Sequence, residues 1–193
     1  MTQDDVHTIR VDDRITIRPY LPDDAEGLYP RLLAQRDQDL FWIQSIEGMR
    51  SVDDLVAEFA HVRRLLDQGR RLGGAIVMDG RIVGTCRISH IEPDVAQGSG
   101  DMGYWLFREA RGGGVMTRCA CALLDVAFGR LALSAVTITT APENAPSNAL
   151  ARRLGFAFSH TVPGALHRGG RIYDARVYIM ERSVFQLRTC CPS

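Results

Sequence analysis

The stretch YWLFREARGGGVMTRCACALLDVAF, residues 104–128, constrains the fold most. A strand-like apolar run enters three consecutive glycines and leaves as an amphipathic helical pattern, so the chain must turn sharply from sheet to helix. The N-terminus of that helix presents unpaired backbone N–H groups and a partial positive charge. Glycines there carry no side chain that would hold an anion off the backbone, so RGGGVMT reads as a pyrophosphate cradle. A tight turn that merely tolerates glycine is the competing reading. No Lys-Ser or Lys-Thr follows, which excludes an ATP or GTP P-loop, and no G-x-G-x-x-G precedes the helix, which argues against a dinucleotide site.

The rest of the pattern supplies the frame. RITIRPY (14–20) alternates as a first strand. PDDAEGLYPRLLAQR then starts a helix near Asp23 and Asp24 that Pro30 is expected to kink or split. Ser51 and Asp54 form a capping pair before a helix whose apolar residues Val52, Leu55, Val56, Phe59, Val62, Leu65 and Leu66 recur at helical spacing, with Gly69 as its stop. Asp79-Gly80 sits between two β-branched runs as a hairpin turn. SGDMGYWLF (99–107) is the next strand, followed by a helix at 115–130, a strand at 135–141, a helix from Ala145 to Leu154 ending at Gly155, a strand FAFSH and a strand at 171–181. The tail is expected to be loose. Antiparallel runs mixed with β-α-β units predict an α+β fold with helices on both faces of one sheet.

At 193 residues with 46% hydrophobic side chains the chain fits a single domain over residues 1–193, its core at about 13–185 between short tails. The 23 basic and 23 acidic residues cancel, so no global field draws it to nucleic acid or to an anionic membrane. No apolar window is long enough to span a bilayer, and MTQDDVHTIRVDD is unlike a signal peptide, which makes the cytoplasm the expected location. Five cysteines show no ligand spacing and are expected to be ordinary reduced thiols; Cys119 and Cys121 point to different sides of a helix and cannot easily share a bond. His61, His90, His160 and His167 form no metal-ligand set, so no metal is expected and none of them is given a role.

Arg111-Gly112-Gly113-Gly114-Val115-Met116 resembles the acyl-CoA pyrophosphate loop of the GNAT superfamily of N-acetyltransferases. That pattern is Gln or Arg, two residues, Gly, one residue, then Gly or Ala; Arg111 and Gly114 match and Met116 departs. The wider segment is similar to the RimJ/RimL branch, which acetylates ribosomal-protein N-termini and in which Met at that place is familiar. APENAPSNALARRLGF (141–156) resembles the later family segment joining the fifth strand to the fourth helix. The resemblance spans about 13–185 and is strongest over 99–156.

The resemblance implies a three-layer α/β/α GNAT fold, with a mixed, mostly antiparallel sheet splayed between the family's fourth and fifth strands, here 99–107 and 135–141. It implies acetyl-CoA as co-substrate, its pantetheine arm along the backbone of Trp105, Leu106 and Phe107, whose N–H groups would also polarise the thioester carbonyl. The pyrophosphate would rest on the amides of Gly112, Gly113, Gly114, Val115, Met116 and Thr117, with charge from Arg111, and Arg152 or Arg153 would approach the phosphorylated ribose. Many relatives carry a tyrosine acid seven residues after the Asn; counting from Asn144, that place is Ala151, which cannot donate a proton. Ser147 matches the serine used in the ribosomal-protein branch and is the expected acid, with Asn144 positioning pantetheine or water and Asp101 as the expected base. PENAPSN equally suits a helix cap, and Asp101 equally suits a surface carboxylate.

An α-amine with pKa near 7.7–8.0 is roughly 10–15% neutral at pH 7, whereas a lysine near 10.4 is neutral at only about 0.04%, an extra cost of roughly 3.5 kcal/mol. The expected acceptor is therefore the α-amine of a protein N-terminus, with an amine-bearing small molecule as the alternative and a non-catalytic acyl-CoA-binding module as the more distant one. Its site is expected in the loop RDQDLFWIQSIEGMRS, with Asp37, Asp39 and Glu47 to meet an ammonium and Phe41 and Trp42 as flat apolar surface, together with PGALHRGGRIYD. Exposed strand edges allow a monomer or a homodimer.

Overall fold

In a computed structural model of the protein, residues 6–36, 41–43, 48–93 and 98–187 are described. Strands β1 (Ile9–Arg10) and β2 (Ile15–Arg18) precede helices α1 (Asp24–Gln35) and α2 (Val52–Asp67). Then come β3 (Leu72–Met78), β4 (Arg81–Ser89), β5 (Ser99–Leu106), α3 (Val115–Asp125), β6 (Ala135–Thr140), α4 (Ala145–Leu154), β7 (Ala157–Arg168), β8 (Arg171–Glu181) and α5 (Arg182–Gln186). The strands form one sheet in the order β1-β2-β3-β4-β5-β6-β8-β7. Every pairing is antiparallel except β5 with β6.

That parallel pairing positions the site. It covers only Ser99 with Ala135, Gly100 with Val136 and Asp101 with Thr137, while β5 runs on to Leu106 and β6 to Thr140. Beyond Asp101 the two strands part and leave a wedge in the middle of the sheet. Helices α1 and α2 cover one face, where Leu28, Leu32, Leu55 and Phe59 pack with Phe107. Helices α3 and α4 cover the other, where Leu123, Leu124, Leu150 and Leu154 join Ile76, Ile88, Val136 and Ile138. The result is the α/β/α layering expected from the sequence.

Local signals explain most elements. Ser51 Oγ accepts from the Asp54 N–H at 3.1 Å and Asp54 Oδ2 accepts from the Ser51 N–H at 3.1 Å, closing the capping box of α2. Asp79 and Gly80 both take positive φ, 51° and 78°, the geometry a two-residue hairpin turn needs. Three expectations are corrected. Pro30 does not split α1, which continues from Asp24 to Gln35 with the proline inside; Glu26, four residues back, is exposed, so its carbonyl can turn to water. The FAFSH strand extends to Arg168 because β7 and β8 continue as one long hairpin past irregularities in register. The start of the tail forms α5, Arg182–Gln186, where Phe185 packs on Phe128, ring centres 5.0 Å apart.

Candidate active site

The wedge opens into a cavity of about 530 Å³. Its walls include Tyr104, Trp105, Asn144 and Ser147 from the strands and helix that part, and Asp101, His90, Arg71, Arg87 and Glu58 from the α1/α2 face. Trp42 from the α1–α2 connection also lines it. The Trp42 ring stands edge-on to Tyr173 of β8 at 5.1 Å and to Phe41 at 5.1 Å. The two segments expected to build an acceptor site therefore do meet over one end of the cavity. Asp37, Asp39 and Glu47 lie outside the described residues.

The glycine turn is shaped as an anion cradle requires. Gly112 and Gly114 hold φ of 85° and 71°, which side-chain-bearing residues rarely adopt, and a Cβ placed on Gly112, Gly113 or Gly114 would meet nothing within 4 Å. Gly114 caps α3 without a side-chain bond, and the first turn holds no acidic residue. The first intrahelical bond runs from the Arg118 N–H to the Gly114 carbonyl at 3.1 Å, so the N–H groups of Val115, Met116 and Thr117 precede it. The side chains of Val115 and Met116 are buried in the core. The departure of Met116 from a small residue thus falls on the core side, where a long thioether fills space, and leaves the backbone open.

The approach to the cradle is pinned from α1. Arg31 donates to the Ile82 carbonyl at 2.7 Å and to Glu109 at 2.8 Å, and Gln35 accepts from the Arg108 N–H at 2.9 Å. The Arg111 guanidinium donates through Nε and Nη2 to the Leu106 carbonyl at 3.1 and 2.9 Å. It therefore fixes the free end of β5 as well as bringing charge to the loop.

Strand alternation sorts the three backbone amides expected along the pantetheine arm. The Phe107 N–H donates to the Val83 carbonyl at 2.9 Å, so Phe107, and Trp105 two residues before it, direct their peptide groups at β4. Leu106 and Tyr104 direct theirs into the wedge. Of the three amides, only that of Leu106 faces the space where a thioester would lie. The Phe107 side chain is fully buried, with Arg31 stacked 4.0 Å above its ring.

Asn144 and Ser147 stand together at the start of α4, where Asn144 Oδ1 accepts from the Ser147 N–H at 3.3 Å. Ser147 Oγ is 3.0 Å from the Tyr104 hydroxyl. Burial pushes that phenol up to about 12 against the opposing bond to Ser147, so it is protonated at neutral pH. Tyr104 lines the cavity and had no role from sequence; its signal was a tyrosine on the wedge-lining strand, which fixes no partner without the fold. Ala151 is fully buried, so the place of the missing tyrosine belongs to the core. A second missed residue is Asn148, which is buried and donates to the carbonyls of Ala141 at 2.8 Å and Asn144 at 2.7 Å while accepting from Tyr178 at 2.9 Å. It ties the β6–α4 connection to β8 and so sets where Ser147 stands.

Asp101 sits at the last β5–β6 rung, its Oδ2 3.0 Å from His90 Nδ1 and its Oδ1 accepting from the Thr137 hydroxyl. His90 was given no role from sequence, yet it lines the same cavity at a positive φ of 58°. Arg152 and Arg153 are exposed at the end of α4. Cys86 and Cys119 are free and buried, and burial pushes both thiols up, Cys119 to about 12, leaving neither nucleophilic.

A family model described as Acetyltransferase (GNAT) domain matches residues 14–157. The chain belongs to the GNAT acetyltransferase family. It is 28% identical over 176 residues to YdaF of Bacillus subtilis (strain 168), provisionally named a ribosomal N-acetyltransferase, covering 89% of this chain and 93% of that protein. The fold matches RimL, a ribosomal L7/L12 α-N-protein acetyltransferase solved with coenzyme A, with a TM-score of 0.84 at 20% identity over 92% of this chain and 99% of that one. It also matches MccE, a microcin C7 self-immunity acetyltransferase solved with acetyl-CoA and AMP, with a TM-score of 0.80 at 22% identity over 89% and 94% of the two chains. The protein is an acetyl-CoA-dependent N-acetyltransferase, and the open glycine cradle beside a splayed strand pair fits that co-substrate. Among the described residues no helix is long and apolar enough to cross a membrane.

Proposed function

We propose that the acceptor is a peptide or protein N-terminal α-amine, acetylated by direct attack in a ternary complex in the cytoplasm, and that the whole chain works as one catalytic unit. The observation that carries this reading is the Tyr104–Ser147 hydroxyl pair at 3.0 Å, on the wall of a cavity that is also lined by residues of α1 and α2. Acetyl-CoA supplies an activated thioester. The amides of residues 112–117 hold its pyrophosphate, with Arg111 adding charge and Arg153 near the ribose end. The Leu106 N–H donates to the carbonyl oxygen as negative charge grows there. As the C–N bond forms and the C–S bond breaks, Ser147 gives its proton to the departing sulfur and recovers one from water through Tyr104, with Asn144 holding the turn.

The amine must lose a proton in the same turnover. Asp101 accepts it, with His90 as its hydrogen-bonded partner; a carboxylate–imidazole pair at 3.0 Å can hold the proton until water removes it. No described group is a strong base, which suits an α-amine that is partly neutral at pH 7 far better than a lysine. The similarity to YdaF supports a ribosomal-protein acceptor; the fold of MccE keeps an amine-bearing small molecule as the second reading. The test is mass spectrometry of peptides that carry both a free N-terminus and an internal lysine. Acetyl on the α-amine alone is expected, with a rate that rises with pH to about 8 and then levels as that amine becomes neutral. Acetyl on lysine alone, or on small amines with no peptide modified, contradicts the reading.

A further inference from the structure

Two guanidinium groups on the acceptor side of the cavity have no part in the chemistry above. Arg87 stands on β4, two rungs from Asp101: the register pairs Arg87 with Gly103 and Ser89 with Asp101. Its guanidinium lies flat against β5, so close that a Cβ on Gly103 would come within 2.9 Å of Cζ. Nη1 donates to Ser89 Oγ at 2.6 Å. Arg71 immediately precedes β3, whose register sets Leu72 opposite Ile88, which brings it to the same end of β4. Both line the cavity, and the buried Arg168 adds a third guanidinium to its wall.

Arg71 and Arg87 lack a close ion pair among the described residues. Among the described residues no carboxylate lies within 4.0 Å of Arg71 or Arg87, and the buried Nε of Arg71 has no hydrogen-bond partner. Asp101 is taken up by His90 and Thr137. Glu58 is the other carboxylate on the described wall. Burial pulls the Arg71 guanidinium down to about 10, and the charge of Arg87 adds to the fall. Two like charges on one cavity wall, one of them with an unused buried N–H, are the arrangement of a site for an anion.

We propose that the cavity selects acceptors carrying a carboxylate or phosphate near the reacting amine, and that Arg71 and Arg87 bind that anion. The proposal rests on the acetyltransfer reading and deepens it. Asp101 and Gly103 are two residues apart on one strand, on the order of 7 Å, so an amine at Asp101 and an anion at Arg87 are spaced as an N-terminus and an acidic side chain one or two residues on.

The test uses matched acceptors: a tripeptide amide with Asp at the second position against the same peptide with Asn, and 3-aminopropyl phosphate against its dimethyl ester. Each is titrated by calorimetry into the full chain saturated with CoA, a complex that needs no turnover, and each is assayed for thiol release with acetyl-CoA. Wild type is expected to bind the anionic member of at least one pair tenfold or more tighter, and which pair shows the preference identifies carboxylate or phosphate. In Arg87→Gln and Arg71→Gln the anionic-to-neutral ratio falls toward one. Equal affinity within both pairs in wild type overturns the inference whatever the enzyme turns over, and so does a ratio that survives both substitutions. An anionic preference with no thiol release from any acceptor overturns the acetyltransfer reading instead.

Discussion

Three glycines in a row do different work. Gly112 and Gly114 need their left-handed backbone, whereas Gly113 has an ordinary φ and open space around its Cβ position. Gly113→Glu should therefore leave the fold intact while placing a carboxylate over the amides of the cradle. Acetyl-CoA affinity is expected to fall at least about tenfold, with stability within about 0.5 kcal/mol of wild type, read by calorimetry and by urea unfolding. The hydroxyl pair separates chemistry from binding in the same way. Ser147→Ala should lower kcat by roughly 10²-fold with acetyl-CoA affinity nearly unchanged, and Tyr104→Phe by a smaller factor, because the serine remains to protonate the sulfur. An unchanged kcat in Ser147→Ala would remove it as the acid.

Among elements, the β6–α4 turn and the β2–α1 junction hold the site in register. Asn148→Ala should cost roughly 2–4 kcal/mol, because the Tyr178 hydroxyl and the Ala141 carbonyl lose a buried partner. At the other junction Arg18 binds Asp24 through two bonds, at 2.7 and 2.8 Å. Burial pushes the Asp24 carboxyl up, but the bonds from Arg18 and the Leu21 N–H outweigh it and leave it below the usual carboxylate range. A depressed folded pKa stabilises fully above the unfolded value of about 3.9 and is lost as pH falls through the folded value. Asp24→Asn should therefore cost roughly 1–2 kcal/mol at pH 7, and the gap to wild type should close as unfolding is followed down to pH 2.5. Element boundaries were legible where a cap or a turn residue marks them, as at Ser51, Asp79-Gly80 and Gly155. They were not legible where tertiary contact decides: Pro30 reads as a breaker but sits in a helix pinned at Arg31 and Gln35, and β7 outruns its own apolar pattern because β8 pairs with it.

At the scale of the molecule, the sheet divides the labour between its faces. The glycine turn and Ser147 stand with the helices of one face, α3 and α4, and Asp101, His90, Arg71 and Arg87 stand toward α1 and α2, so the residues proposed for donor and acceptor border one wedge where β5 leaves β6. The residues proposed to hold acetyl-CoA could be picked out in the sequence because they lie within one contiguous stretch, Tyr104 to Gly155, with a readable order and spacing. Of the elements on the acceptor side, the α1–α2 connection and the β7–β8 hairpin were expected from the sequence, whereas the single residues from β4 and from the start of β3 were not. His90, Arg71 and Arg87 have no neighbours in sequence to signal a role, and only strand register brings them together.

The central claim is that this wedge carries acetyl from CoA to an amine. The most direct test is thiol release by the purified full chain with acetyl-CoA and an N-terminal peptide, run beside the same peptide with its amine blocked and beside Gly113→Glu. Thiol release that requires the free amine and falls with Gly113→Glu is the predicted result. A folded wild-type protein that binds acetyl-CoA yet releases no thiol with any peptide or small amine would contradict it.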